Sequence, residues 1–199
     1  MSDDKPKEPP LRGMDIAPPS FAFDAQLDRL TRHIFPHYPH KEQIDNFFQV
    51  LGRAITIWQL VETALYEVYE RAIGPRRPGA CGASFHSMQT FEAKLRATND
   101  ALSFALIDRP ETFDEWTDLK KRASEKSQRR NQFVHFSTYI IYNEPSDNDK
   151  IRLEPQMYDW RFINERPKLR VSEISDIAEK FVEIANSLRA FKEKVPPAA

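Results

Sequence analysis

The chain has 199 residues, of which 40% are hydrophobic and 30% charged, a size and balance that suit one globular domain with its own core. Its 29 Lys and Arg stand against 30 Asp and Glu, a net charge of −1, so only local clustering can argue for a nucleic-acid partner. A lone cysteine, Cys81, excludes an intrachain disulfide framework, and no apolar run approaches the roughly 20 residues that span a bilayer, so the expected setting is a reducing cytoplasm without membrane contact.

The opening "MSDDKPKEPP" has no apolar stretch of the kind a secretory signal carries. Residues 1–20 hold Pro6, Pro9, Pro10, Pro18 and Pro19 with almost no large apolar groups. Proline blocks helix and sheet pairing, and this composition cannot bury enough surface to offset the entropy of ordering, so a disordered tail is expected. "FDAQLDRLTRHIF" (23–35) reads as a short helix with Asp24 as N-cap and Pro36 as terminator, within an N-terminal helix-and-loop segment over 21–41. The following "HIFPHYPH" places His33, His37 and His40 close together. Pro36 and Pro39 break the helix that would align them, and no carboxylate stands at ligand spacing, so no metal is expected there.

The main domain is expected over 42–195. Residues 42–73 form the first long helix. Phe47, Leu51, Ala54, Trp58, Val61, Leu65, Val68 and Ala72 recur at spacings of three and four, which keeps them on one face. Gly74-Pro75 stops it, and "PRRPGACGA" (75–83) reads as a loop. Cys81 in that loop has no paired cysteine and no base beside it, so it is an ordinary thiol, and the segment lacks the lysine and spacing of a phosphate loop. Ser84 is the expected N-cap of a second helix over 84–107, with Phe85, Met88, Phe91, Leu95, Leu102 and Leu106 inward.

A third helix begins near Pro110–Thr112, where Thr112 and Glu115 have capping-box spacing. Its inward stripe runs Phe113, Trp116, Leu119, Ala123, Ser127, Arg130, Val134. Residues 137–155 carry a β-branched and aromatic run, a turn-rich centre and a second short run, which reads as an irregular β-hairpin. "QMYDWRFINERPKL" has no deciding pattern. The last helix spans 172–194, with Ser172 as N-cap and Ile174, Ile177, Phe181, Ile184, Leu188 and Phe191 as its seam. Four single-striped helices cannot hide their stripes alone. The expected fold is therefore all-α, an up-and-down helical bundle with a β-hairpin inserted between the third and fourth core helices.

Chemistry concentrates in the third helix. "KKRASEKSQRR" (120–130) holds six basic residues and one acid, a local excess that attracts phosphates. The same helix opens with Glu111, Asp114, Glu115 and Asp118, and acid before base is also what the helix dipole favours. The stripe is more telling. Arg130 falls at an inward position, and a buried unpaired guanidinium is costly, so it needs an acid or a wet cleft. Glu62, beside the first helix's seam, is the candidate partner. Asn131 and His135 are spaced i, i+4 and share a face. Arg130 and His135 are five apart, roughly 140° on an ideal helix.

"RNQFVH", Arg130 to His135, resembles the R-x(4–6)-H signature of the HEPN superfamily, with Asn131 in the polar position after the arginine. "IWQLVETALYEVY" (57–69), with its Trp58 and Glu62, resembles the long helix of bacterial members, and the resemblance covers residues 40–194. Arg129 doubles the arginine, and the hairpin is not a general family feature. The resemblance implies a metal-independent endoribonuclease without cofactor, dimeric, of the kind found in toxin–antitoxin or defence systems, with any antitoxin on another chain. It implies a site built by two copies of the signature across a homodimer, which removes the angular difficulty. RNA cleavage by its own 2′-OH needs a base for that proton and an acid for the leaving oxygen. An imidazole, with an ordinary pKa of about 6.5, serves either role near neutrality. In that scheme two copies of His135 divide these tasks, Arg130 grips the scissile phosphate, Asn131 orients the base or ribose, and Arg129, Lys126 and Arg122 hold flanking phosphates. Two other readings stand beside it: a non-catalytic HEPN-like module that binds nucleotide or protein and dimerises, and a plain bundle in which Arg130 pairs with Glu62 and His135 caps its helix.

Overall fold

Period and caps set the elements in chain order. The computed structural model describes residues 41–74, 78–141, 150–156, 159–162 and 166–197. The proline-rich tail, the expected helix over 23–35 and the three histidines His33, His37 and His40 lie outside the described residues. Those from Glu42 onward belong to one compact unit.

Helix α1 spans Lys41–Ile73. Its predicted stripe is buried at Phe47, Ala54, Trp58, Val61, Leu65, Val68 and Ala72, joined by Ile44, Ala64 and Tyr69, while Leu51 is half-buried. Gly74 ends it with φ of 79°, a left-handed conformation in which its N–H reaches the Glu70 carbonyl at 3.0 Å.

The expected single helix over 84–107 is two helices. α2 spans Pro78–Ser87 and α3 spans Phe91–Ala105. Pro78 suits the first turn, where its missing N–H costs nothing, so most of the expected loop, Cys81 included, is helical. Ser84 sits inside α2 and is not a cap. The cap that matters is Thr90, which is extended (φ −115°, ψ 148°) and accepts from the Ala93 N–H at 3.1 Å to start α3.

Helix α4, the third expected helix, spans Pro110–His135. Pro110 opens it after Arg109, which makes no side-chain cap bond. Thr112 and Glu115 do not form the expected capping box; Glu115 instead accepts from Lys194 at the far end of the chain. Strands β1 (Ser137–Ile140) and β2 (Ile151–Glu154) pair antiparallel as the hairpin reading expected, Ser137 opposite Glu154 and Ile140 opposite Ile151. Leu153 also bridges Leu169. A short 3-10 turn follows at Trp160–Phe162. Helix α5 spans Val171–Lys192, and its box is closed by Glu173 accepting from the Arg170 backbone N–H at 2.8 Å, not by Ser172, which is exposed.

The result is mostly helical: five α-helices and one two-stranded sheet among the described residues. Its centre is aromatic. Trp58 of α1 meets Phe91 at the start of α3 (4.8 Å between centroids) and Phe181 of α5 (5.0 Å). Trp116 of α4 meets Phe191 of α5 at 5.6 Å, and Phe133 meets Phe181 at 5.9 Å. Burying such a side chain is worth about 1.5–3 kcal/mol, against at most about 1 kcal/mol for a surface ion pair such as Lys192 with Glu67. The aromatic seam therefore dominates the packing. No described helix is long and apolar enough to cross a membrane.

Candidate functional site

The end of α4 is where the core pattern yields. Trp116, Leu119, Ala123, Ser127 and Phe133 are buried. The stripe does not resume at Val134, as expected, because Val134 is 49% exposed. It resumes at Phe133, which Phe181 of α5 receives. The inward positions thus run Ser127, Arg130, Phe133. The Ser127 hydroxyl is satisfied within its own helix, donating to the Ser124 carbonyl at 2.8 Å.

Arg130 is not satisfied in that way. It is half-buried, and its Nη1 donates to the Asn131 Oδ1 at 3.4 Å. Its Nε is buried with no hydrogen-bond acceptor. The expected partner, Glu62, is engaged elsewhere: one carboxylate oxygen accepts from the Trp58 indole at 2.9 Å, and the other is paired with Lys94 of α3 at 2.5 Å. The plain-bundle reading, with Arg130 sealed against Glu62, is therefore not the arrangement adopted. Lys94, four positions into α3, takes that acid instead. Leaving a buried donor unmatched costs about 1–3 kcal/mol, more for a charged group, so the guanidinium is held in a position that a ligand oxygen would improve.

The rest of the predicted basic set lies along one flank. On an ideal helix Arg122, Lys126, Arg129 and Arg130 span an arc of roughly 100°. Arg129 donates to Gln132 at 3.2 Å, and among the described residues none of the four forms an ion pair with an acid. Asn131 and His135 are exposed on the opposite flank of the buried face. His135 occupies the last turn of α4, and the Phe136 N–H that follows closes the helix on the Gln132 carbonyl at 3.0 Å. The structure thus joins Arg130 to Asn131 but brings no contact between Arg130 and His135.

One concavity went unread in the sequence. A cleft of about 410 Å³ opens between α3 and α4, walled by Glu92, Arg96 and Asn99 on one side and Lys120, Lys121 and Gln128 on the other. Lys120 and the Trp116 indole both donate to the Asn99 Oδ1, at 2.8 and 3.2 Å. Its α4 wall continues the face that carries Asn131 and His135. Arg96 and Asn99, three apart on a helix of their own, were the available signal.

Two other groups are set aside by their surroundings. Cys81 is buried, and burial, with the Glu70 carboxylate nearby, pushes its thiol up, away from the reactive thiolate. Tyr66 donates to Glu70 at 2.8 Å, which together with desolvation pushes the phenol up to about 12. Among the described residues no group of three or more His, Cys, Asp or Glu is placed to hold a metal ion.

Comparison with protein-family models, with curated proteins and with solved structures finds no match to this chain. The resemblance to the HEPN superfamily rests on residues 57–69 and 130–135 and on the helical setting.

Proposed function

We propose that this chain is a metal-independent endoribonuclease of HEPN type, toxin- or defence-related, whose site is built by two copies of the α4 end across a homodimer. The observation that carries the reading is Arg130: an inward guanidinium with a buried Nε and no acceptor, while the core acid that would neutralise it is taken by Trp58 and Lys94. A phosphate oxygen is the acceptor such a fork suits best. The flank beside it supplies Arg122, Lys126 and Arg129 for neighbouring phosphates.

The chemistry divides between the two chains. The 2′-OH of the RNA attacks the adjacent phosphorus, and one His135 imidazole takes its proton. The bond from phosphorus to the 5′ oxygen breaks, and the other His135, as imidazolium, gives that oxygen a proton. The products are a cyclic phosphate and a 5′-hydroxyl. Arg130 stabilises the charge that builds on the non-bridging oxygens, and a donor of this kind is worth about 10²–10³ in rate. The opposite placement of Arg130 and His135 in one chain favours a site shared by two.

The same placement favours a second reading, a non-catalytic module of the HEPN type that binds nucleotide or a protein and dimerises through this end. One assay separates them: cleavage of a mixed RNA pool in the presence of EDTA by wild type, Arg130→Ala and His135→Ala. The enzyme reading expects chelator-resistant cleavage by wild type, at least hundredfold loss in each variant, and unchanged helical circular dichroism. Inactive wild type that still binds RNA leaves the binding module standing.

A further inference from the structure

Three tryptophans are present, and they are not treated alike. Trp58 and Trp116 are 2% and 0% exposed, at the centre of the bundle. Trp160 is 79% exposed. Tryptophan is enriched at interfaces, where its large ring meets a partner. The turn that carries Trp160 touches the end of α4 through Phe162, and its indole is exposed.

Its mount is built from both sides. The Asp159 N–H bonds to the Gln156 carbonyl at 2.9 Å, and the Phe162 N–H bonds back to the Asp159 carbonyl at 3.1 Å. The Asp159 carboxylate accepts from the Arg161 N–H at 3.2 Å and from its guanidinium at 2.9 and 2.7 Å. The guanidinium lies 5.8 Å from the Phe162 ring centroid. Phe162 then meets Phe136 edge-on, 5.6 Å between centroids and 84° between planes. Phe136 directly follows His135. Neighbouring residues are thus spent on fixing the turn to the end of α4, and the indole between them is left out in solvent.

We propose that Trp160 is a stacking platform for a nucleobase of single-stranded RNA bound along the end of α4. This rests on the RNA reading above and adds a subsite to it. Stacking needs an exposed aromatic face, and Trp160 presents one. It also needs a polyanion delivered nearby, and Lys126, Arg129 and Arg130, none of them in an ion pair among the described residues, supply the attraction. Because every base has a π-face, the platform accepts any base and confers little sequence preference.

The test uses the full chain and two non-cleavable probes of equal length, a 2′-O-methyl oligouridylate and the corresponding abasic strand. Trp160→Ala should weaken oligouridylate binding about tenfold, as loss of one base–aromatic stack does, and leave the abasic strand unaffected. Trp160→Phe should recover most of the loss. In wild type, oligouridylate should quench the exposed indole, and the abasic strand should not. Equal affinity of wild type and Trp160→Ala for oligouridylate overturns the platform while leaving the ribonuclease reading intact. A matched loss for both strands, or conversion from dimer to monomer, assigns Trp160 to structure or to a protein interface and also overturns it. If wild type binds neither strand, the RNA reading fails and this one with it.

Discussion

The two halves of α4 obey one helical period and reach opposite solutions. In the first half every inward group is apolar or matched: Trp116 is sealed with its indole on Asn99, and Lys120 shares that oxygen. In the second half Arg130 holds an inward position with an unmatched Nε, and its basic neighbours meet no acid among the described residues. The contrast marks the second half as the place where the apolar stripe is interrupted.

Substitutions should expose that difference. Trp116→Ala empties a buried site and should cost about 3–5 kcal/mol, measured by urea unfolding. Arg130→Met, at the half-buried inward position of the other half, should change stability by less than about 1 kcal/mol or raise it, because it removes a buried charged donor without an acceptor. Cleavage should nonetheless fall at least hundredfold. A loss of several kcal/mol at Arg130 would mean that the guanidinium is structural after all, and the comparison would collapse. The smallest effect concerns the turn docked on the α4 end. The Arg161 guanidinium holds the Asp159 carboxyl below the usual carboxylate range. The support this pair gives is therefore full above the ordinary carboxylate pKa of about 3.9 and is lost as pH falls through the lower folded value. The Asp159 carboxyl carbon, followed by NMR, should titrate with a midpoint below that ordinary value and shift upward in Arg161→Ala.

Much of this arrangement is legible in the sequence, for reasons that particular residues make plain. α1 and α5 are long and singly striped, so period alone locates them. The hairpin shows itself through its β-branched and aromatic runs. The break between α2 and α3 is hidden because Phe85, Met88, Phe91 and Leu95 recur at spacings of three and four across it, and only the Thr90 cap betrays it. The expected caps at Ser84 and Ser172 fail because a serine before an apolar run is common, and which residue takes the extended conformation depends on packing. The step from Arg130 could fall three or four residues on, to Phe133 or Val134. The sequence permits both, and Phe181 of α5 decides. Arg130 stood out because a charge on a seam is visible without coordinates. That Glu62 would be taken by Lys94 was not visible, since it depends on how α3 packs against α1. The α3–α4 cleft and the exposure of Trp160 were invisible for the same reason.

Leu153 is paired twice, with Thr138 of β1 and with Leu169 just before α5. The last turn of α4 and the first turn of α5 are therefore the two ends of a single hydrogen-bonded belt. Helix ends ordinarily fray, and a frayed end would let Arg130 and His135 swing toward each other. Belted in this way, the end of α4 behaves as a fixed bracket. In the two-copy site proposed above, the second half would have to be brought to this end from another chain.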